Sequence, residues 1–305
     1  MSQPHVPVLL EEVLGVFEHL EGGYFMDCTL GFGGHSEAIL EAHPSLHLIA
    51  CDKDENALSY SKKRLERFSD RIIFYKDAFS SVIEKFKNKN IVGILADIGV
   101  SSWQLDERSR GFGFDGDVLD MRMDLDQKLK AFDVVNFYSA EDLGEILREY
   151  GEISRWRDIR DKIVQARRNS PINTPRDLLE IIGNKKEKSR KVSVATLVFQ
   201  AIRIEVNDEL GELNRLLASL ESLKPKGARI GIISFHSLED RIVKKTYKEW
   251  EKSCICPIEV MRCTCGNNHN LGKIITKKPI KPTREEVDKN IRSRSSKLRV
   301  FDFGK

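Results

Sequence analysis

What most restricts the fold of this chain is a rhythm in its first hundred residues. Short apolar runs alternate with helical patterns, and each run ends at or beside an aspartate. Tyr24–Leu30, Leu46–Asp52, Arg71–Asp77 and Ile91–Val100 read as strands; Gly33–Ala42, Glu55–Phe68 and Ser80–Phe86 read as helices. Strand–helix units recurring at about 25 residues imply βαβ connections and a parallel sheet covered on both faces. Near Trp103 the rhythm stops. From Ala131 to Glu205 the period is helical, with Ala140–Tyr150 and Trp156–Arg168 as examples and no convincing strand. A long helix is expected over Val192–Leu223, broken near Asn207. After the turn Lys224-Pro225-Lys226-Gly227 the alternation resumes with a strand at Ala228–Phe235, a helix at Leu238–Trp250 and a last strand at Lys297–Phe303. The fold class is α/β, a Rossmann-like sheet domain with an inserted all-helical domain. The expected parts are 1–107, 108–206 and 207–305.

Composition removes other classes. With 40% hydrophobic and 32% charged residues a sizeable core can form. Mean hydropathy is −0.37, and no run approaches the ~18 apolar residues of a membrane span. Met1–Glu12 has no basic stretch leading into an apolar one, so a secretory leader is not expected. Six cysteines include the isolated Cys28 and Cys51 in apolar surroundings, which suits a reducing compartment better than a disulfide scaffold. A cytoplasmic protein without a membrane partner is expected. The 50 basic and 47 acidic residues nearly balance, so only their distribution can point to a polyanion.

The chemistry starts at Met26-Asp27-Cys28-Thr29-Leu30-Gly31-Phe32-Gly33-Gly34-His35. Glycines between a strand and a helix let the backbone turn tightly and approach a ligand. The segment is not a dinucleotide fingerprint, since Ser36 stands where the third glycine belongs, and no Gly-Lys-Ser/Thr follows to make a P-loop. Ligands of open parallel sheets bind beyond the carboxyl ends of the strands. Asp27, Asp52, Asp77 and Asp97 all fall there, a row hostile to phosphate. It suits a cationic ligand rich in donors, and S-adenosylmethionine has an ammonium, a sulfonium, two ribose hydroxyls and an adenine amine. Asp52 stands where an acid binds ribose, a feature NAD enzymes share; Asp77-Ala78-Phe79 offers an acid and an aromatic edge near an adenine.

With these residues assembled, the sequence resembles the bacterial 16S ribosomal RNA cytosine-N4 methyltransferases, a class I family with an inserted helical domain. The resemblance rests on His5-Val6-Pro7-Val8-Leu9-Leu10-Glu11-Glu12, the loop Leu30–Ser36, and Asp97-Ile98-Gly99-Val100-Ser101-Ser102-Trp103-Gln104-Leu105-Asp106. Arg110-Gly111-Phe112, Leu119–Asp124, Ile232–Lys244 and Arg292–Arg299 continue it in order. Trp103 replaces a usual proline, and Ala96 a usual larger aliphatic. The resemblance implies that Gly33, Gly34, His35, Asp52, Phe79, Asp97 and Gln104 contact S-adenosylmethionine. It also implies a substrate cytosine in the decoding region of 16S ribosomal RNA, within the 30S subunit. The oligomeric state, homodimer included, is left open.

A cytosine amine is a poor nucleophile because its lone pair is delocalised into the ring, so it must be held in line with the methyl group. Asp97 is the expected acceptor, on the amine side or the donor side. His236 is expected to relay the proton or to bind the base, with Asp240 and Arg241 orienting it or contacting phosphate. Base methylation requires an unstacked nucleotide. Residues 281–299 hold seven Lys/Arg against three acids, and with Lys185–Lys191 and Arg155–Arg168 they form a candidate phosphate track. Arg241, Arg292 and Arg294 are the expected RNA contacts. Cys254, Cys256, Cys263 and Cys265, with His269 nearby, could form a structural zinc site, although C-x-C is tighter than the usual spacing; reduced surface cysteines are the alternative. Two other functions fit the architecture: an NAD-linked oxidoreductase, and a non-catalytic RNA-binding assembly factor.

Overall fold

The computed structural model describes residues 7–185, 192–257 and 259–304. The chain forms two compact units, one of Met1–Gly99 with Gly211–Lys305 and one of Val100–Leu210.

The first unit is built on a seven-stranded sheet in the order β3-β2-β1-β4-β5-β7-β6. Its strands are β1 (Gly23–Asp27), β2 (Leu46–Asp52), β3 (Ile72–Lys76), β4 (Ile91–Asp97), β5 (Arg229–Ser234), β6 (Gly272–Ile274) and β7 (Lys297–Phe303). β1 to β5 are parallel, whereas β7 runs antiparallel between β5 and β6. The expected all-parallel sheet is therefore mixed. The local signal at Lys297–Phe303 gives a strand but no direction, because a strand reached by a long connection can enter either way.

Helices α1 (Leu10–Phe17), α2 (Gly34–Ala42), α3 (Glu55–Arg64) and α4 (Phe79–Lys85) belong to the first half of this unit. The central strands are apolar on both sides, as a covered sheet requires. Neighbouring residues of β1 enter different cores: Phe25 packs with Phe17, Leu48 and Leu298, while Met26 packs with Ile49, Ile94 and Ile230. Phe17 meets Phe25 edge-on at 4.9 Å.

The second unit holds α5 (Ser102–Asp106), α6 (Ala131–Phe137), α7 (Ala140–Glu149), α8 (Trp156–Asn169), α9 (Pro175–Ile182) and α10 (Val194–Asn207), and the described residues include no strand there. Its core gathers Phe112, Met121, Val134, Leu143, Ile163, Leu178 and Ile202. Asp208, with a φ of 48°, ends α10 before α11 (Glu209–Leu223) begins, and the unit's boundary falls two residues later, at Leu210. α12 (Ser237–Glu251) and α13 (Arg284–Lys289) complete the first unit. None of the described helices is long and apolar enough to cross a membrane.

Candidate active site

The strand order reverses between β1 and β4, because β1 continues outward through β2 and β4 through β5. Ligands of such sheets bind in the crevice that opens at this reversal. In the register, Asp27 of β1 faces Ala50 of β2 and Leu95 of β4. β2 and β4 thus each run two residues further, to Asp52 and Asp97, across a notch two strand spacings wide, about 10 Å.

The glycine loop fills the base of that notch. Gly31 and Gly33 have φ of 51° and 77°, and a Cβ on Gly33 would press on Ser61 Oγ at 3.1 Å and Leu65 at 3.3 Å. Gly31 N donates to Asp52 Oδ2 (2.7 Å), while Ser61 Oγ donates to Gly31 O (2.7 Å). Asp52 Oδ1 accepts from Asp54 N (2.8 Å). Burial raises the Asp52 carboxyl above its usual range, against the pull of these N–H groups. Each oxygen keeps one accepting lone pair for a ligand. Asp27 is buried below the loop and accepts from Ser36 Oγ (2.6 Å) and Thr29 N (3.1 Å). Burial pushes it up to about 6 despite those bonds. Asp27 is thus a strut of the loop.

Asp97 is arranged differently. Its N–H donates to Thr29 Oγ1 (2.6 Å), and its Oδ2 lies 3.9 Å from Nδ1 of His35, whose Nε2 faces the Val8 carbonyl at 2.8 Å. Asp97 Oδ1 is buried without a hydrogen-bond partner. Burial, with the charges of Asp27 and Glu239, pushes this carboxyl well above the usual range. An orphaned buried carboxylate oxygen is costly, and a cation or an N–H brought to it would offset that cost.

His236 stands just past β5 at the start of α12. Its Nε2 is 3.0 Å from Glu239 Oε1, and Glu239 Oε2 accepts from Phe235 N (2.8 Å) and His236 N (3.1 Å). Glu239 is 2% exposed. Sequence reasoning missed it, although His236-Ser237-Leu238-Glu239 has the spacing of a capping box with an acid at the third helical position. Asp240 does not orient His236. It accepts from Lys297 Nζ (3.0 Å) and Arg299 Nε (2.6 Å), fastening α12 to β7. Burial raises its pKa, but these two cations outweigh burial and hold it below the usual range.

Phe79 opens α4 and is half-buried against the sheet core, one residue after Ala78, whose N–H donates to Asp77 (2.7 Å). Gln104 belongs to the second unit. Buried in α5, it exchanges capping bonds with Ser101, Ser101 N to Gln104 Oε1 (3.0 Å) and Gln104 N to Ser101 Oγ (3.1 Å). In that unit Arg110 lies 5.4 Å over the Trp103 ring and donates to the Arg122 and Met123 carbonyls, each at 2.9 Å. Arg110-Gly111-Phe112 and Leu119–Asp124 thereby brace one another.

Arg241, Arg292 and Arg294 are all exposed. Within the other basic clusters, Arg155 and Arg160 pair with Asp158 and Asp161, and Arg167 donates to the Val135 and Tyr138 carbonyls. Those three are tied up locally. The run Lys185–Lys191 lies outside the described residues beyond Lys185. Cys254, Cys256, Cys263 and Cys265 come together on the connection between α12 and β6.

A sheet of this order, reversing beside a glycine turn and acidic strand ends, defines a Rossmann-like methyltransferase of class I. The chain matches the MraW methylase family over residues 2–303 and belongs to it. It is 54% identical to "Ribosomal RNA small subunit methyltransferase H" of Campylobacter jejuni strain RM1221, over 99% of this chain and 98% of that one. The same name is carried by a Campylobacter curvus protein, 54% identical over 99% of both chains. Among solved structures, an rRNA methylase from Streptococcus thermophilus aligns over 97% of this chain and 95% of that one, at 10% identity and a TM-score of 0.40.

Proposed function

We propose that the chain transfers a methyl group from S-adenosylmethionine to the exocyclic N4 amine of a cytosine in the decoding region of 16S ribosomal RNA. The observation that carries this reading is Asp97, a half-buried carboxyl whose buried Oδ1 has no hydrogen-bond partner among the described residues, at the sheet's reversal point. The residues present fit the donor: Asp52 keeps accepting capacity for ribose hydroxyls, Gly31 and Gly33 put no side chain at the base of the notch, and Asp97 offers an unpaired carboxyl oxygen that a cation would help to ionise. Bound there, the donor supplies an electrophilic methyl on a sulfonium. Gly33, Gly34, His35 and Phe79 are the remaining proposed donor contacts of the first unit.

The protein's own work is positioning and proton handling. Asp97 accepts from the amine or neutralises the donor, and either role draws on its unpaired oxygen. Neither buried ring nitrogen of His236 has a hydrogen-bond partner among the described residues, so Nδ1 or Nε2 could take the proton the amine releases, with Glu239 Oε1 at 3.0 Å from Nε2 as the counter-charge. The imidazolium formed would then be paired with Glu239. Arg241, Arg292 and Arg294 would hold phosphates around the unstacked nucleotide. The NAD alternative is disfavoured by Ser36 in place of the third glycine and by the acidic strand ends. Nucleoside mass spectrometry of 16S RNA from a strain lacking this gene tests the reading. It should lack a methyl group on one cytosine N4, restored by the wild-type gene and not by Asp97→Ala. Unchanged methylation in the deletion strain would leave the assembly-factor reading.

A further inference from the structure

Beyond the methyl-transfer site, the described residues of the loop joining α12 to β6 bury no apolar side chain between Lys252 and Asn270. Ile255 and Val260 are 61% and 40% exposed, and Met261 is fully exposed. Yet its two ends are clasped: His269 N donates to Ser253 O (3.0 Å), Leu271 N to Trp250 O (2.7 Å), and Ile274 N to Glu251 (2.8 Å). Inside the clasp the sulfurs of Cys254, Cys256, Cys263 and Cys265 all lie within 4.8 Å of one another. The pairs 254–263, 263–265 and 254–265 stand at 3.6, 3.5 and 3.8 Å.

Those separations are too long for disulfides. A tetrahedral zinc with Zn–S bonds of ~2.3 Å places neighbouring sulfurs ~3.8 Å apart. Two backbone amides also point at sulfur, Ile255 N at Cys265 Sγ (3.4 Å) and Thr264 N at Cys256 Sγ (3.3 Å). Donors aimed at sulfur suit a thiolate that carries negative charge. Each C-x-C arm thus offers two ligands and takes an N–H from the facing arm. His269 is not among the ligands, since its Nε2 faces the Cys265 carbonyl at 2.7 Å.

We propose that Cys254, Cys256, Cys263 and Cys265 bind one structural Zn²⁺, which stands in for the missing core of this loop and fixes the approach to β6. All four positions are taken by protein, so the ion has no open site for catalysis.

The test uses the full-length protein purified without added metal. About one equivalent of zinc is expected, falling below about 0.2 in Cys256→Ser/Cys265→Ser. Removing the metal with a chelator should expose four rapidly reacting thiols that zinc protects again, while the buried Cys28 and Cys51 stay slow in both states. Cobalt added to the metal-free protein should give the visible bands of tetrahedral thiolate coordination. These readouts need no variant to fold and no activity. Protein that arrives metal-free and whose thiols zinc does not protect would overturn the assignment, as would stoichiometric iron or a pair of disulfides.

Discussion

Asp97→Asn keeps the shape of the strand end and removes its charge. In the free protein Asp97 holds its proton to unusually high pH, because burial and the Asp27 and Glu239 charges oppose ionisation. A donor cation should relieve that opposition. At a separation of about 5 Å and an effective dielectric of about 20, the carboxylate–sulfonium attraction is ~3 kcal/mol. Binding should therefore lower the Asp97 pKa, and the attraction corresponds to about a hundredfold in affinity. Because binding favours the deprotonated form, the donor's Kd should fall as pH rises, by up to about tenfold per unit. The dependence should end where Asp97 of the free protein is fully ionised. Calorimetry of S-adenosylmethionine from acid to alkaline pH measures this. S-adenosylhomocysteine, which lacks the sulfonium, should show a flatter profile, and Asp97→Asn should flatten the donor's. An identical slope in both proteins would refute the electrostatic role of Asp97.

Other outcomes follow from neighbouring residues. Asp27 has a folded pKa of about 6 against 3.8 for the unfolded chain, so the native state binds its proton more tightly. Wild-type stability relative to Asp27→Asn should therefore be full below about pH 4 and decline by ~3 kcal/mol as pH rises through about 6, read by urea unfolding at each pH; a flat difference would contradict the burial of that charge. Glu239→Gln should keep the cap's acceptor while removing the charge beside His236. It should lower kcat more than KM; loss of thermal stability with kcat and KM unchanged would make Glu239 a cap only. Arg292→Ala and Arg294→Ala should each reduce the slope of log K against log salt for RNA binding by about 0.7–0.9; an unchanged slope would remove them from the RNA surface.

The early strands and helices were legible because each is a covered element with a local signature. Leu46–Asp52 and Lys297–Phe303 are strands over the residues their apolar runs span. The expected break near Asn207 is real, and its cause is Asp208 in the left-handed region. Helix Glu55–Phe68 ends early at Arg64 and continues as a tighter turn over Glu66–Arg71, where Arg71 donates to carbonyls around Pro44. β6 was not legible: three residues, Gly272–Ile274, carry no periodicity, and their strand character comes from pairing with β7. In the site, the aspartates could be placed at strand ends, but not ranked. Asp27 and Asp97 look alike in sequence, and only the partners Ser36 and Thr29 show which one is spent on the loop. The partners of Asp240 were illegible for the same reason, since Lys297 and Arg299 reach it from almost sixty residues away.

The most direct measurement is transfer of a labelled methyl group from S-adenosylmethionine to 30S particles and to naked 16S RNA, with wild-type protein and Asp97→Ala. Label should appear on one cytosine N4 of at least one of the two substrates with the wild type and be lost with the variant. Absence of transfer to either substrate, together with tight binding of a nicotinamide coenzyme, would contradict the account.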